Sequence, residues 1–457
     1  MFRMSELGAP FQLYVGGFAG AGKSMVCRML TEQLRRRYHF HDAVRVTAPV
    51  GIAALNVGGE TIHKLLKLMP DKTLNRLSET EVFLLHEKLR RLKVLIIDEV
   101  SLLSVVLLTQ IDVRLREVFG NDLVFGGVSI VAFGDLLQLA AVSDVREKDR
   151  NGVAHTIPVS VYDALPAKWR ALRDAYTPHP HKDLWGLFKI VELEENMRTK
   201  DPEEARMLAE IRQGVESKKT VDWLTSNCQM DGDKPADLFR EMALLRHENP
   251  SGEYIILAVE NMRVNQLNDW FAEQHAAIVI PPLDVDDGNC NYRRTGVKRT
   301  LKLVLGCRVM VTDNHSDQSI ANGVMGVLLE VTSDTVFMER SDNGQRIALK
   351  RFPYQDREKK GPVWYQFPIA MAEAITVNKS QGMTFDGLVV DSEKMGTIGS
   401  SFYTSLSRAR FLRNVRITNV RSLRYRAVRG GATALDSMRR RTTRTHLSFL
   451  PYSVYKK

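Results

Sequence analysis

The chain has 457 residues, of which 44% are hydrophobic and 26% charged, the composition of an ordinary globular protein long enough for two or more domains. No apolar run approaches the ~20 residues that a membrane span needs, and residues 1–5 lack the apolar core of a signal peptide. The net charge of +10 favours a polyanionic partner such as nucleic acid.

The first predicted element is an apolar strand (Phe11–Val15) that leads into a glycine-rich loop and then into a helical pattern from Met25. In such a loop, successive backbone N–H groups can point at phosphate oxygens, and the following helix adds its positive end. Lys23 can reach the β- and γ-phosphates, and the Ser24 hydroxyl can ligate Mg²⁺. We therefore predict a nucleoside triphosphate site, with ATP and Mg²⁺, made by Gly17, Ala19, Gly20, Ala21, Gly22, Lys23 and Ser24.

Three further apolar runs, Val44–Thr47, Val94–Ile97 and Ser129–Phe133, alternate with helical patterns. This alternation predicts an α/β fold with a parallel sheet. Two acids end the second run, and a carboxylate at a strand end beside a phosphate loop can hold Mg²⁺ while its neighbour activates water. We predict Asp98 as the metal residue and Glu99 as the base, and Gln138 after the third run as a γ-phosphate sensor.

The second half of the chain predicts another α/β unit. Proline and histidine replace regular periodicity near Asp174–Lys182, where we place a boundary, and short β-branched runs between Lys302 and Phe367 predict a small antiparallel barrel. The predicted domains are 1–180, with a small insertion at about 65–91; 181–281 together with 368–457; and an inserted β-rich domain at 282–367.

Two arginines of the predicted second unit can complete the predicted ATP site. An arginine supplied by another domain stabilises the charge on a transferring γ-phosphoryl group, and Arg198 and Arg408 both fall in the predicted second unit. The arginine-rich end, Arg439–Arg441 and Arg444, is open to two interpretations: a solvated tail or nuclear-import signal, or a direct contact to nucleic acid. The scattered cysteines Cys27, Cys228, Cys290 and Cys307 argue for a reducing compartment and against a zinc site.

Several longer stretches resemble, in order, the motifs of superfamily 1B DNA helicases of the Pif1 type. The similar stretches cover about residues 11 to 418 and are Gly17–Ser24, Thr47–His63, Asp98–Ser101, Asp112–Gly127, Gly134–Gln138, Val377–Thr384 and Ser405–Arg410. The resemblance implies two RecA-like domains, a wedge inserted in the first and a Src-homology-3-like domain inserted in the second. It implies a protein that moves 5′→3′ on single-stranded DNA and unwinds partial-duplex or forked DNA, and we expect the free protein to be monomeric.

The resemblance also implies roles for single residues. It assigns Arg198 and Arg408 to the γ-phosphate, Gln138 to sensing, and Gly382 to the nucleotide. It places a further set at the DNA strand: Pro49, Thr61, His63, Lys379, Ser380, Gln381 and Thr384. We expect such a protein, which is similar to the compact viral and mobile-element members, to act in DNA replication, recombination, repair or telomere maintenance. We expect it in the nucleus (the host's, for a virus) or elsewhere inside the cell, and not secreted.

The sequence departs from the family pattern at two places within the motifs. Leu139-Ala140-Ala141 stands where the family has Leu-Pro-Pro, which frees the backbone that prolines would hold, and Asn378 stands where histidine is usual. Two other functions remain open from the residues alone: a DNA-binding ATPase that acts as a switch or clamp without unwinding, and an unrelated P-loop enzyme such as a nucleotide kinase.

Overall fold

The computed structural model describes residues 9–69, 76–141, 146–148, 154–156, 160–176, 183–198, 201–284, 293–295, 297–313, 320–356, 362–428 and 430–443. The chain forms two compact units, the first from residues 1–215 and 426–457 and the second from 216–425. Within the described ranges, no helix is long and apolar enough to cross a membrane. Of the arginines predicted at the carboxyl end, Arg444 lies outside the described residues.

A six-stranded parallel sheet forms the centre of the first unit, in the order β3-β2-β4-β5-β1-β8. The strands of this unit are β1 (Gln12–Gly17), β2 (Val44–Ala48), β3 (Glu60–Thr61), β4 (Val94–Ile97), β5 (Ser129–Gly134), β6 (Arg146–Lys148), β7 (Ala154–Thr156) and β8 (Lys189–Leu193). β6 and β7 form a separate antiparallel pair. The predicted parallel sheet of an α/β fold is confirmed, and the predicted strands match β1, β2, β4 and β5.

Helices pack on both faces of this sheet. The helices of the unit up to residue 215 are α1 (Lys23–Tyr38), α2 (Gly51–Asn56), α3 (Ile62–Leu65), α4 (Glu79–Leu89), α5 (Val105–Phe119), α6 (Ala167–Tyr176) and α7 (Pro202–Arg212). Side chains alternate along a strand, so Leu13 of β1 packs in the apolar cluster that contains Leu30 of α1, whereas its neighbour Tyr14 packs in the one that contains Ile111 of α5. Burial on both faces explains why the strands are apolar runs rather than alternating ones.

The predicted insertion at about 65–91 contains α4 and the segments on either side of it. Ser78 caps α4, since its hydroxyl accepts the Glu81 N–H while the Glu81 carboxylate accepts the Ser78 N–H, a capping box that begins a helix firmly. Leu85 and Leu89 of α4 are buried in the same cluster as α5. One face of this segment therefore belongs to the core of the first unit, and its role as a wedge stays a prediction.

The second unit contains a four-stranded parallel sheet in the order β21-β9-β22-β23 and an antiparallel region between β10 and β20. Its helices are α8 (Lys218–Cys228), α9 (Pro235–Glu248), α10 (Asn261–Gln274) and α11 (Ser401–Leu406). Its strands are β9 (Tyr254–Ala258), β10 (Ile278–Ile280), β11 (Leu283–Asp284), β12 (Arg293–Thr295), β13 (Leu301–Leu303), β14 (Arg308–Val311), β15 (Met325–Val331), β16 (Thr335–Arg340), β17 (Arg346–Lys350), β18 (Phe352–Asp356), β19 (Trp364–Gln366), β20 (Ile369–Met371), β21 (Ala374–Thr376), β22 (Gly387–Val390) and β23 (Val415–Ile417).

The antiparallel region corresponds to the β-rich insertion predicted at 282–367. Its main sheet has the order β17-β16-β15-β14-β20. Because β20 pairs with β14, with Met371 opposite Val309, the antiparallel pairing continues past residue 367, the predicted end. A second sheet, β11-β19-β18-β12, is antiparallel except for its β12–β18 pair.

The structure corrects the predicted boundary at residue 180. β8 lies beside β1, with Tyr14 opposite Ile190, and residues up to 215 belong to the first unit. The last described helix, α12 (Gly431–Thr443), also returns to this unit: Thr442 accepts the Ile190 N–H at 3.0 Å, and Met438 lies in its core. Neither the five residues of β8 nor the amphipathic helix α12 has a local sequence pattern that indicates which sheet it joins, because the packing partner decides this.

Candidate nucleotide site and nucleic-acid residues

The glycine-rich loop joins β1 to α1 at the carboxyl edge of the first sheet. Gly22 caps the helix with a φ of 79°, a left-handed conformation that costs glycine little. Gly20 has a φ of 88°, and a Cβ built on it would lie 2.7 Å from Cβ of Arg198. At these two positions only glycine adopts the observed backbone conformation without strain. This agrees with the predicted phosphate-binding loop.

Lys23 lies at the first position of α1 and turns back over the loop. Its Nζ donates to the carbonyl oxygens of Gly17, at 2.9 Å, and Phe18, at 3.0 Å. These carbonyls hold the ammonium group at the mouth of the loop, where phosphate oxygens would approach. Ser24 follows on the same turn and is exposed, so its hydroxyl is open to a metal ion.

Asp98 and Glu99 directly follow β4, as predicted. One strand, β5, lies between β4 and the strand β1 that leads into the glycine-rich loop. Asp98 is buried, and its backbone N–H donates to the Thr47 carbonyl at 2.8 Å. Burial, and then the negative charge of Glu99, raise the pKa of Asp98 well above its ordinary value, while Lys23 opposes the rise. Glu99 has a φ of 51°, an uncommon conformation for a residue with a side chain. The strain and the raised pKa both mark this strand end as a functional position.

Gln138 ends a short loop after β5 that is fixed by several contacts. A Cβ on Gly134 would lie 2.9 Å from the Val100 backbone nitrogen, and the Tyr14 hydroxyl donates to the Gly134 carbonyl at 3.2 Å. The Gln138 N–H donates to the Asp135 carbonyl at 3.0 Å, and the Gln138 side chain is buried. The predicted sensor therefore lies in a rigid turn at the same sheet edge as Asp98.

A buried ion pair that the sequence did not reveal anchors this loop. Asp135 is 1% exposed, and Arg212 at the end of α7 approaches both of its carboxylate oxygens, with Nη2–Oδ1 at 2.7 Å and Nε–Oδ2 at 3.2 Å. Although burial by itself would raise the pKa of Asp135, the Arg212 guanidinium holds that pKa below its ordinary value. No local pattern around residue 212 indicates this partner, which lies 77 positions earlier in the chain.

Arg198 belongs to the first unit, not to the second as the sequence had suggested. The Met197 N–H donates to the Gly20 carbonyl at 2.8 Å, and the Arg198 N–H donates to Oδ1 of Asn196 at 2.9 Å. The turn after β8 is thereby held against the phosphate loop. The structure brings Lys23, Asp98, Gln138 and Arg198 to the carboxyl edge of one sheet.

The predicted DNA residues of the first unit follow β2. Pro49 comes directly after the strand. Thr61 caps the short helix α3, with its hydroxyl accepting the Lys64 N–H at 3.3 Å. His63 is half-buried, and burial lowers its pKa. The imidazole is therefore biased to its neutral form, which can donate one hydrogen bond and accept another.

The predicted motifs of the second unit are joined to each other. Phe385 N–H donates to the Arg408 carbonyl, and Arg410 N–H donates to the Phe385 carbonyl, both at 2.9 Å. The buried Arg408 guanidinium donates to the Thr404 carbonyl at 3.1 Å and to the Met383 carbonyl at 3.4 Å. One arginine thus connects the two predicted motifs of this unit.

Burial separates the predicted DNA residues of the second unit into two groups. Lys379 is exposed and Thr384 is half-buried. Ser380 and Gln381 are buried, and Ser380 donates to the Val377 carbonyl at 2.7 Å. Gly382 has a φ of 80°. Ser380 therefore shapes the turn that presents Lys379, and a direct contact to DNA by the buried pair stays a prediction.

The arginine-rich end is part of a docked helix over its described length. Arg439 of α12 forms two hydrogen bonds with the Glu192 carboxylate, at 2.6 and 2.7 Å, and a third with Asp436 at 3.0 Å. For Arg439 the idea of a solvated tail is wrong, because the side chain attaches α12 to β8.

Comparison with known proteins agrees with the motif assignments. A family model described as PIF1-like helicase matches residues 5–162. The ATP-dependent DNA helicase Pif1 of Bdellovibrio bacteriovorus is 25% identical over 420 residues, covering 87% of this chain and 82% of that protein. The protein of the same name from Campylobacter jejuni is 24% identical over 454 residues, covering 93% of this chain and 92% of that one.

Solved structures extend the similarity to the whole fold. The crystal structure of Pif1 helicase from Bacteroides in complex with ADP-AlF3 and single-stranded DNA is 25% identical, with a TM-score of 0.69, and the match covers 98% of this chain and 97% of that one. A structure of two coordinating Pif1 helicases that unwind forked double-stranded DNA is 26% identical, also with a TM-score of 0.69, covering 97% and 96%. With the phosphate loop, the paired acids and the sensor loop at one sheet edge, these matches show that the chain is similar to PIF1-like helicases over nearly its whole length.

Proposed function

We propose that this protein is an ATP-dependent DNA helicase that moves 5′→3′ on single-stranded DNA and unwinds duplex ahead of it. The observation that carries the proposal is the meeting of Lys23, Asp98, Glu99 and Gln138 at one edge of the first sheet, in a chain that is similar to PIF1-like helicases. Each residue type there has a task in phosphoryl transfer to water.

The residues present fit ATP with Mg²⁺. Asp98 is a buried carboxylate whose pKa is raised by burial and by Glu99, so a cation beside it would relieve an unfavourable charge. Mg²⁺ takes many of its ligands from phosphate and water, so one carboxylate and one hydroxyl from the protein are enough to bind it. Ser24 and Asp98 would hold it, and it would supply charge neutralisation between the β- and γ-phosphates.

The chain's own groups perform the remaining steps. Lys23 exchanges the carbonyls of Gly17 and Phe18 for phosphate oxygens as the loop N–H groups bind the triphosphate. Glu99 orients the attacking water and accepts its proton. Gln138 senses the γ-phosphate, and Arg198 and Arg408 stabilise the charge that develops on it. Gly382 completes the set assigned to the nucleotide.

The two parallel sheets support a proposed domain assignment. We propose that each sheet is the centre of a RecA-like domain, that the α4 segment is the wedge, and that the antiparallel strands between β11 and β20 form the Src-homology-3-like domain. The single strand contacts Pro49, Thr61 and His63 on the first unit and Lys379, Ser380, Gln381 and Thr384 on the second. Action on nuclear DNA, a host's for a viral chain, remains a prediction.

The test is ATP-dependent unwinding of two partial duplexes that differ only in having a 5′ or a 3′ single-stranded tail, with Glu99→Gln as the inactive control. Unwinding of the 5′-tailed substrate alone is the expected result. Unwinding of the 3′-tailed substrate alone would refute the direction. Tight DNA binding and ATP turnover without unwinding of either would favour the switch or clamp, and ATP turnover indifferent to DNA would favour an unrelated P-loop enzyme.

A further inference from the structure

A basic surface lies at the amino-terminal edge of the first sheet, where the chain enters β2 and β4. These strands are neighbours, with Val44 opposite Val94. The Lys93 N–H donates to the Ala43 carbonyl at 2.9 Å, so the segment that enters β4 lies beside the turn that follows α1, and the last turn of α1 leads directly into that turn. We call this the amino-edge surface and define it by Arg36, Arg37, Phe40, Arg91 and Lys93.

The positive charges of the amino-edge surface are not balanced. Arg36, Arg37, Arg91 and Lys93 are exposed, and none forms an ion pair in the part of the chain that the structure describes. The neighbouring acids are engaged by other arginines: Glu32 by Arg35 at 3.3 Å, Asp42 by Arg45 at 3.5 Å, and Glu87 by Arg90 at 3.7 Å. Four cations thus remain available to a polyanion.

An exposed aromatic side chain lies among these charges. Phe40 is 48% exposed, and the Arg91 guanidinium lies 4.4 Å from its ring centroid. Basic groups interleaved with aromatic faces are the surface on which single-stranded nucleic acid stacks its bases, whereas a duplex offers phosphates but keeps its bases stacked.

The amino-edge surface is distant from the predicted nucleotide site. Lys23 and Arg37 lie at opposite ends of α1, and 1.5 Å of rise per residue separates them by about 20 Å. Phe40 precedes the amino end of β2, whereas the predicted DNA residues Pro49 and Thr61 follow its carboxyl end. The five residues of β2 add about 16 Å between them. The surface therefore faces a different stretch of nucleic acid from the strand in the predicted track.

We propose that the amino-edge surface binds single-stranded DNA that is not the strand on which the motor moves, namely the displaced arm of a fork. Phosphates of the arm contact Arg36, Arg37 and Lys93, and an unpaired base stacks on Phe40 and Arg91. The inference rests on the proposed helicase function for the identity of the strand, but not for the binding itself.

The experiment measures binding without ATP, by fluorescence anisotropy over a range of salt. One substrate is a duplex with a 5′ tail, and the other adds a non-complementary 3′ arm. Four proteins are compared: wild type, the triple variant Arg36→Gln/Arg37→Gln/Lys93→Gln, the variant Phe40→Leu, and a control of equal charge change at exposed sites elsewhere, Lys218→Gln/Lys234→Gln/Arg421→Gln. Superimposable thermal unfolding curves verify that all the variants fold.

The arm should tighten wild-type binding. It should also steepen the slope of log binding constant against log salt concentration by up to about 2, because each of the three proposed single-strand phosphate contacts contributes about 0.7. The triple variant should lose both increments while binding the 5′-tailed duplex as wild type does, and the control should keep them. Phe40→Leu should weaken the arm's contribution about fivefold or more without changing the slope.

Three results would overturn the inference: no effect of the arm on wild type, the same arm effect in the triple variant, or equal losses on both substrates. If blunt duplex competes with the arm for wild type but not for the triple variant, the surface binds duplex DNA and the inference is wrong. No step of this binding experiment requires ATP hydrolysis, so its outcome is separate from that of the unwinding test. If wild type does not unwind DNA but the triple variant still loses the arm effect, the helicase function is refuted and the binding surface is retained.

Discussion

Removal of the Arg212 charge is the sharpest test of how the sensor loop is held. Arg212→Met keeps an apolar stem but leaves Asp135, which is 1% exposed, as a buried carboxylate without its cation. Breaking a buried pair in this way costs about 3–5 kcal/mol. Arg212 is itself 14% exposed, and the Leu137 N–H still donates to Asp135 at 3.1 Å. We therefore expect about 2–3 kcal/mol, or roughly 30- to 150-fold in local opening.

The effect should depend on pH in a defined direction. In the wild type the pKa of Asp135 is lowered by Arg212, so the pair stabilises the fold above the ordinary carboxyl pKa and this contribution is lost as the pH falls through the lowered value. In Arg212→Met, burial dominates and raises the pKa. The variant then gains stability as the pH falls toward about 4, and the difference between the two proteins narrows.

Hydrogen exchange measured by mass spectrometry suits this test, because a protein of two units has no single free energy of unfolding. Protection of peptides from β5 and α7 should fall in the variant at pH 7, with a smaller loss at pH 5, while peptides from β9 and β22 serve as internal controls. The double variant Arg212→Met/Asp135→Asn should recover part of the protection. A loss below about threefold, or one that is the same at both pH values, would refute the argument that the ion pair holds the loop.

Two further predictions concern the chemical step. Glu99→Gln should bind ATP nearly as wild type does but lose about 10²- to 10⁴-fold in hydrolysis, the usual worth of a general base; a fluorescent ATP analogue and a phosphate-release assay measure the two, and normal turnover would show that Glu99 is not the base. Arg408→Ala should lose turnover by about 10³-fold with a smaller change in ATP affinity, whereas equal losses in both would argue against a transition-state role.

Much of the candidate site could be predicted from the sequence because its information is local. Gly20 and Gly22 have positive φ values that glycine tolerates best, and Lys23 begins the helix directly after them. Asp98 and Glu99 directly follow an apolar run, and the carboxyl ends of parallel strands meet at one edge of the sheet. The order of the motifs and the apolar runs therefore placed these residues together before any contact was known.

Features that join distant parts of the chain were not predictable in this way. The boundary at residue 180, the placement of Arg198 in the second unit and the interpretation of Arg439 as part of a tail were wrong, and the Arg212–Asp135 pair was missed. A short strand such as β8 has no local preference for one sheet over another, since strand pairing is decided by cross-strand packing. An exposed-looking arginine likewise carries no mark of its partner, Glu192 in one case, which lies 247 positions away.

The sequence by itself determined the α/β class, the phosphate loop and the acids beside it, because backbone freedom at glycine and strand-end carboxylates are properties of neighbouring residues. Only the tertiary structure decided that β8 and α12 complete the first unit, that Arg212 secures the sensor loop, and that the turn after α1, with Phe40, lies beside the entry to β4. These features arise from packing between segments far apart in the chain. Apolar side chains are buried and opposite charges are paired only after the sheet has brought those segments together.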